Sequence, residues 1–343
     1  MTSEEGAAPP REQGWWGPLL ATLVLLILPA APPLAMLVPV DQTLLLLAPT
    51  LAAFAVVGWR AGGRLPLALV WTAFAVWVLW VPATAGTYEI LARGWGVLVA
   101  ASFGALLLLG NRERSFLPQA LLAIVIAMAV ALLATMLASG GLTEAGTVLG
   151  DEVARRAEFG LAAWRQFTAR PEWLEMVRDN PAADQLARQV EQQFEVLPQV
   201  ARVLVPAMLA LESLAALALG WAVYHRFGRV RLGPPLAPLA ELRFHDAFVW
   251  GVIAGLLVLV VPMPDAARAV GINLMVFFSA LYVLRGLGVL LWFLKPGRWM
   301  LVLWTIVLVL FLQVVGAVAL ALGVGDTWLD WRRRARPKSQ RSE

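Results

Sequence analysis

Nine apolar blocks of at least 17 residues each, at 17–39, 43–59, 65–82, 90–110, 116–138, 200–223, 247–263, 270–294 and 299–323, constrain this chain more than any motif does. Few of them carry a charge, and none shows the polar stripe that a surface helix turns to water. A soluble core cannot absorb nine such runs. A bilayer can, because about 20 apolar residues in a helix match its hydrocarbon thickness. Composition points the same way, with 60% hydrophobic residues and a mean hydropathy of +0.74. The fold class expected is therefore all-α, a polytopic integral membrane helical bundle of about eight transmembrane helices, with nine as the alternative.

The charges then read as determinants of topology. A net charge of +4 and a pI near 10.1 would suggest nucleic acid in a soluble protein. Here the basic residues gather between blocks and in the tail "RRRARPKSQR", so the lipid bilayer is the expected partner and nucleic acid is not. If all nine blocks cross from a cytoplasmic N-terminus, eleven short-loop Lys and Arg fall inside and eight outside. If 247–263, one of the two shortest blocks and ending in "VPMP", does not cross fully, the split becomes sixteen to three. The positive-inside rule favours the second scheme, with eight full spans, one short or re-entrant block and both termini cytoplasmic. Arg outnumbers Lys 25 to 2, which fits a GC-rich bacterial genome, and the expected location is the bacterial inner membrane. Glu4, Glu5 and Glu12 against Arg11 do not make the positive start of a signal peptide, so the first block is read as a retained span. The absence of cysteine excludes disulfides and thiol chemistry.

Five regions follow: a cytoplasmic N-terminal tail (1–16), an N-terminal transmembrane bundle (17–138), an extracytoplasmic amphipathic helical insert (139–199), a C-terminal transmembrane bundle (200–323) and a basic cytoplasmic tail (324–343). In the insert, Val153, Ala157, Leu161 and Trp164 share one helical face, Pro171 marks a helix start, Asn180–Pro181 a stop, and Leu186, Val190 and Phe194 recur in register on a third helix. The insert is expected either to lie on the bilayer surface or to form a lid over a substrate cavity. The first block is broken by Pro29, Pro32, Pro33 and Pro39, which free carbonyls that protein or a cavity must satisfy. Trp15, Trp16, Trp59, Trp80, Trp95, Trp221, Trp292 and Trp299 stand at or near block ends, as an interfacial aromatic belt would.

Within the spans, polar residues are few. Glu212 is the only ionisable group between Val203 and Tyr224, and Arg285 in "LYVLRGLGV" is the basic residue at similar depth. Each alone is expensive in lipid, so the two are expected to face each other, as a solute- or proton-handling pair or as a structural ion pair. Asn273 and Gln313 read as interhelical hydrogen-bond donors. His225, His245 and Asp246 lack metal-ligand spacing and read as loop residues. Asp326 and Asp330, at i,i+4, are expected to share a short helix with Arg333 and Arg334. No nucleotide loop, triad or zinc helix occurs, so no catalytic residue, metal or cofactor is assigned and an enzyme is the weakest class.

Three stretches, "ELRFHDAFVWGVIAGLLVLV" (241–260), "NLMVFFSALYVLRGLGVLLWFL" (273–294) and "LGVGDTWLDWRRR" (322–334), resemble the YybS-like family of bacterial polytopic membrane proteins. The resemblance covers about the last 140 residues. It implies an inner-membrane protein of about eight spans, distantly similar in its N-terminal part to the substrate-binding subunits of energy-coupling-factor transporters, and it supplies no site residues. The expected function is that of an uncharacterised multi-pass membrane protein with a solute-binding or transport-related role, its partners being a small solute or other membrane proteins. The alternative is a structural or assembly scaffold of the cell envelope.

Overall fold

A computed structural model describes residues 14–27, 38, 43–81, 86–110, 115–138, 141–295, 297, 299–300 and 312–335. The proline cluster at 29–33 and Pro39, the middle of the last apolar block and the end of the basic tail lie outside these residues, as does the side chain of Gln313. Every regular element among the described residues is helical, as the apolar blocks require in lipid, where a helix satisfies its own backbone.

The chain divides into two compact units, 1–236 and 237–343. Unit 1 holds α1 (Trp16–Ile27), α2 (Thr43–Arg60), α3 (Leu65–Trp80), α4 (Thr87–Leu109), α5 (Phe116–Leu137), α6 (Gly141–Thr168), α7 (Pro171–Asp179) and α8 (Pro181–Phe227). Unit 2 holds α9 (Val249–Val260), α10 (Asp265–Leu294), α11 (Leu312–Leu329) and α12 (Trp331–Arg334). The boundary falls after the helix that the sequence places at the start of a C-terminal bundle, so residues 200–236 pack with the N-terminal unit.

Helix α2 is the centre of unit 1, packing on α3, α4 and α8. Its contact with α4 is close because Gly96 carries no side chain: a Cβ there would meet the Leu45 carbonyl oxygen at 2.2 Å. Around it, Phe54, Phe103, Phe116, Trp221 and Tyr224 form an aromatic cluster, with Trp221 5.4–5.9 Å from the three phenylalanine rings. Trp221 is fully buried and its indole donates to the Pro234 carbonyl at 3.2 Å. Trp95 is buried as well and donates to Ser213 at 2.9 Å. These two tryptophans are core residues and not part of an interfacial belt. Trp16, Trp59, Trp80 and Trp299 are exposed.

The insert is helical, and of the anticipated face Ala157, Leu161, Trp164, Val190 and Phe194 pack together, while the side chain of Leu186 lies outside the described residues. Ala157 and Phe194 are buried against each other's helices, with Leu161, Trp164, Val190 and Leu197 packed around them. Pro171 starts α7 and α7 ends at Asp179 before Asn180–Pro181, as expected, and Pro181 is also the first residue of α8. The third insert helix does not stop near residue 199. It runs on through Pro198 and Pro206 as one 47-residue helix, about 70 Å long and well beyond a membrane's thickness. Each of those prolines removes one backbone hydrogen bond, which a continuous apolar stretch tolerates as a bend.

Among the described residues, five helices have the length and composition to cross a membrane: α2, α4, α5, residues 188–227 of α8, and α10. Four shorter apolar helices accompany them among the described residues. Of the five, α2 is the most enclosed, whereas α5 turns most of its apolar surface outward. Replacing Trp221 with alanine should cost about 3–5 kcal/mol, because it empties the largest fully buried side chain of the unit 1 core. Thermal unfolding of the detergent-solubilised variant measures this, and an unchanged midpoint would contradict the core assignment.

Candidate functional site

The densest polar cluster lies in unit 2, and the sequence around Arg285 explains how it forms. Gly286 follows it, and a Cβ there would lie 1.7 Å from the Ala319 carbonyl oxygen; the reciprocal Gly323 would meet the Tyr282 carbonyl at 1.9 Å. These small residues bring the α10 and α11 backbones together. Gly288, on another face of α10, lets the Leu239 carbonyl approach to 2.3 Å of its own Cβ position, so the 239–241 turn packs there. Arg285 is thus held between close-packed elements and is 5% exposed.

All three guanidinium nitrogens of Arg285 are used within unit 2. Nε donates to Asp326 Oδ2 at 3.1 Å, Nη2 to the Asp326 carbonyl at 3.2 Å, and Nη1 to Asp246 Oδ1 at 3.0 Å. Its cationic carbon also sits 5.4 Å over the Phe244 ring. Asp326 is shared: Arg332 Nη2 donates to the same Oδ2 at 2.7 Å, and Arg332 further donates to the Ala240 and Leu242 carbonyls at 2.9 and 3.1 Å. Arg332 reaches inward because the chain turns at Asp330, whose φ of 40° separates α11 from α12. The Asp330 carboxylate in turn accepts from Arg243 at 2.9 Å, and its carbonyl from the Arg333 and Arg334 amides.

This arrangement corrects two expectations. Glu212 belongs to unit 1, half-buried on α8. Arg285, every nitrogen of which is taken within unit 2, answers Asp326 and Asp246; depth along two helices did not identify its partner. Asp326 and Asp330 do not share a helix face with Arg333 and Arg334: the turn at Asp330 intervenes, and the arginine that matters is Arg332. Asn273 donates to the Ala269 carbonyl one turn back at 2.8 Å. Gln313 lies on α11. His245 caps the 246–248 turn through the Ala247 amide, and His225 lies between the Trp221 carbonyl and the Leu232 amide.

The network has a gradient of exposure. The Asp246 side chain is 62% exposed, those of Arg285 and Arg332 are 6% and 1%, and that of Asp326 is 0%. Burying such charges costs several kcal/mol per ion unless each finds opposite charge and hydrogen bonds, and the sharing of Asp326 by two arginines provides both. It is not saturated. Asp326 Oδ1 and Arg332 Nε are enclosed without a hydrogen-bond partner, and the nearby hydroxyls of Tyr282 and Thr327 complete no hydrogen bond of good geometry. Beside the network lies a cavity of about 270 Å³ lined by Ala240, Glu241, Arg243, Trp292 and Arg332.

Unit 1 has a smaller polar knot at the base of the insert. Glu152, 6% exposed, accepts from Arg155 and Arg156; Arg156 lies 5.0 Å over the Tyr88 ring and donates to the Val38 carbonyl at 2.5 Å. Val38 immediately precedes Pro39, so this is a protein donor of the kind that the broken first block requires. Glu89 and Arg93 form an ion pair on α4, and Arg93 donates to the Leu79 carbonyl at 2.7 Å. Among the described residues no three His, Asp or Glu side chains gather as a metal site would need.

Long apolar helices and buried ion clusters held between them define a helical membrane protein. Within that class, residues 20–327 match the model of the DUF2232 family of predicted membrane proteins, and the chain belongs to that family. No curated protein and no solved structure matches it.

Asp326→Asn leaves two buried arginines without their shared charge and should cost about 3–5 kcal/mol. Adding Arg285→Gln to it should cost far less than the sum of the two single changes, because the groups couple directly. Additive thermal shifts would show that the ion cluster is not what holds these helices. Gly286→Ala should destabilise by about 1–3 kcal/mol or more by driving α10 from α11, read in the same assay.

Proposed function

We propose that this is a multi-pass protein of the bacterial inner membrane that binds a small solute in unit 2 and takes part in its transport. One observation carries the reading: a buried, incompletely satisfied charge network adjoins a cavity of about 270 Å³, close to the lower size range of small-molecule sites. Intramembrane ionisable groups mark solute and ion pathways by default. Arg332, which lines the cavity, gives a route by which a solute's arrival reaches Asp326 and through it Arg285. Glu212 is a second intramembrane carboxylate in the proposal, facing a bundle interior, with Asn273 and Gln313 as polar groups of the apolar helices. The role is not enzymatic. The resemblance to YybS-like proteins, and through them to the substrate-binding subunits of energy-coupling-factor transporters, supports a protein whose energy comes from partners or ion gradients.

The topology we attach to this function has eight complete crossings, cytoplasmic termini and an extracytoplasmic insert. It is supported by the sixteen-to-three division of basic residues and by α9, whose 12 residues reach about 18 Å against roughly 30 Å of hydrocarbon. The nine-crossing alternative is favoured by the cavity that Trp292 shares with Arg243, because only nine crossings put the C-terminal end of α10 on the side of the 224–246 loop. Since the chain has no cysteine, Glu172→Cys and Arg229→Cys test it. An impermeant thiol reagent on intact cells should label the first and not the second, and the reverse pattern would overturn the topology.

Solute binding is tested by thermal unfolding of the purified protein against a panel of small anionic, cationic and neutral solutes. A ligand at a hundred times its Kd should stabilise by about 2.7 kcal/mol. Trp292→Ala, which removes a cavity wall, should abolish the shift, and a panel with no stabilising member would sink the reading. A second reading, a scaffold for envelope assembly, is favoured by the insert itself, where Phe159, Leu174 and Val196 are exposed apolar side chains. It expects a stable complex with envelope proteins that is lost when Phe159 and Leu174 become serine.

A further inference from the structure

We infer that the unit 2 cavity is a site for a phosphate group carried on a hydroxyl-bearing headgroup or small ester. The inference rests on the solute-binding reading of this cavity and names its ligand class. Two guanidinium groups, from Arg243 and Arg332, line one pocket from different elements, the 242–245 segment and α12. Planar guanidinium forks match the tetrahedral, multiply charged oxygens of phosphate better than any other side chain does. Arg332 is almost wholly enclosed, at 1% exposure, and is fixed by the Ala240 and Leu242 carbonyls and by Asp326, so its charge is built into the wall and not carried on a mobile chain. Its Nε has no hydrogen-bond partner. Arg243 differs in being half-exposed. One of its nitrogens is committed to Asp330, and its remaining donors meet no acceptor among the described residues.

The other walls narrow the class. Glu241 is exposed at the cavity, and a carboxylate there repels a bare anion but accepts hydrogen bonds from hydroxyl groups. The pocket volume exceeds what one phosphate needs and leaves room for a few carbons bearing hydroxyls. Trp292 closes one side near the C-terminal end of α10, with Lys295 Nζ 6.0 Å over its ring. An indole and a lysine at a span's end are what the headgroup level of a bilayer selects. Arg333 and Arg334, both exposed, add positive charge on α12. A phosphoglycerol unit fits all of these groups at once, phosphate on the arginines and hydroxyls on Glu241. It has two sources, the headgroup of an anionic lipid and a soluble polyol phosphate.

The test uses the full-length protein in neutral detergent. Phosphatidylglycerol retention against phosphatidylcholine is read by native mass spectrometry, and glycerol 3-phosphate and inorganic phosphate are titrated by calorimetry. Phosphatidylglycerol retained selectively, and not displaced by glycerol 3-phosphate, assigns the site to lipid. Displacement by glycerol 3-phosphate, with direct binding, assigns it to a soluble ester. In either case Arg243→Gln should weaken binding about tenfold or more, since a charge-assisted hydrogen bond is lost. Arg268→Gln, on α10 and outside the cavity, should leave binding unchanged. Glu241→Gln, at an exposed position, should raise the affinity for inorganic phosphate and keeps the inference testable if Arg243→Gln fails to fold. Three results overturn it: no preference for phosphate-bearing probes, equal loss with Arg268→Gln, or no gain with Glu241→Gln. If phosphate probes fail while another solute stabilises the protein in a Trp292-dependent way, the ligand class alone is wrong and the solute-binding reading stands.

Discussion

The sharing of one carboxylate oxygen by two arginines is what unit 2 depends on. Asp326 Oδ2 accepts from Arg285 on α10 and from Arg332 on α12 while lying on α11, so a single buried charge ties three helices together. An apolar environment makes such a cluster decisive in both directions. Complete, it fixes the register of α10 against α11, since Arg285 meets both the side chain and the backbone of Asp326. With Asp326 removed, Arg332 is left buried without a counter-charge and Arg285 keeps only the exposed Asp246. The glycines follow from the same demand, because Gly286 and Gly323 are what allow the two backbones near enough for an arginine to span them.

Unit 1 is organised differently. Its centre is apolar and aromatic, with α2 enclosed by neighbours and Trp221 seated among Phe54, Phe103 and Phe116. Charge appears at its margin, where Glu152 gathers Arg155 and Arg156 and the latter serves a backbone carbonyl next to a proline. The two units thus divide the problem of polarity in an apolar chain: one places it inside as structure and candidate site, the other at the base of its insert.

Much of the helical content is legible in the sequence, because apolar length and proline position are one-dimensional signals. The insert's packing face could be read from Ala157, Leu161, Val190 and Phe194 for the same reason: helical spacing alone determines it. The partner of Arg285 could not. Depth along a helix says how far a charge lies from water, not which neighbouring helix stands beside it, and Glu212 and Arg285 belong to different packing units. Arg332 was concealed more thoroughly, since it sits in a basic run whose other members read as topology signals, and only the left-handed turn at Asp330 directs it inward. Trp95 and Trp221 misled for a related reason, as a tryptophan near the end of a block looks alike whether it faces headgroups or the core. The length of α8 is hidden because the change from a polar, charged stretch to an apolar one near residue 199 reads as a boundary, although a single helix runs across it.

That unbroken helix has a mechanical consequence. Phe194, in the core of the insert, and Trp221, in the core of the bundle, are 27 residues apart on one rod, roughly 40 Å at helical rise. A lateral push on the insert is therefore delivered as torque to the aromatic cluster, with no intervening loop to dissipate it. Pro198 and Pro206, each lacking one backbone hydrogen bond, lie between the two cores, so any bending of the rod concentrates there.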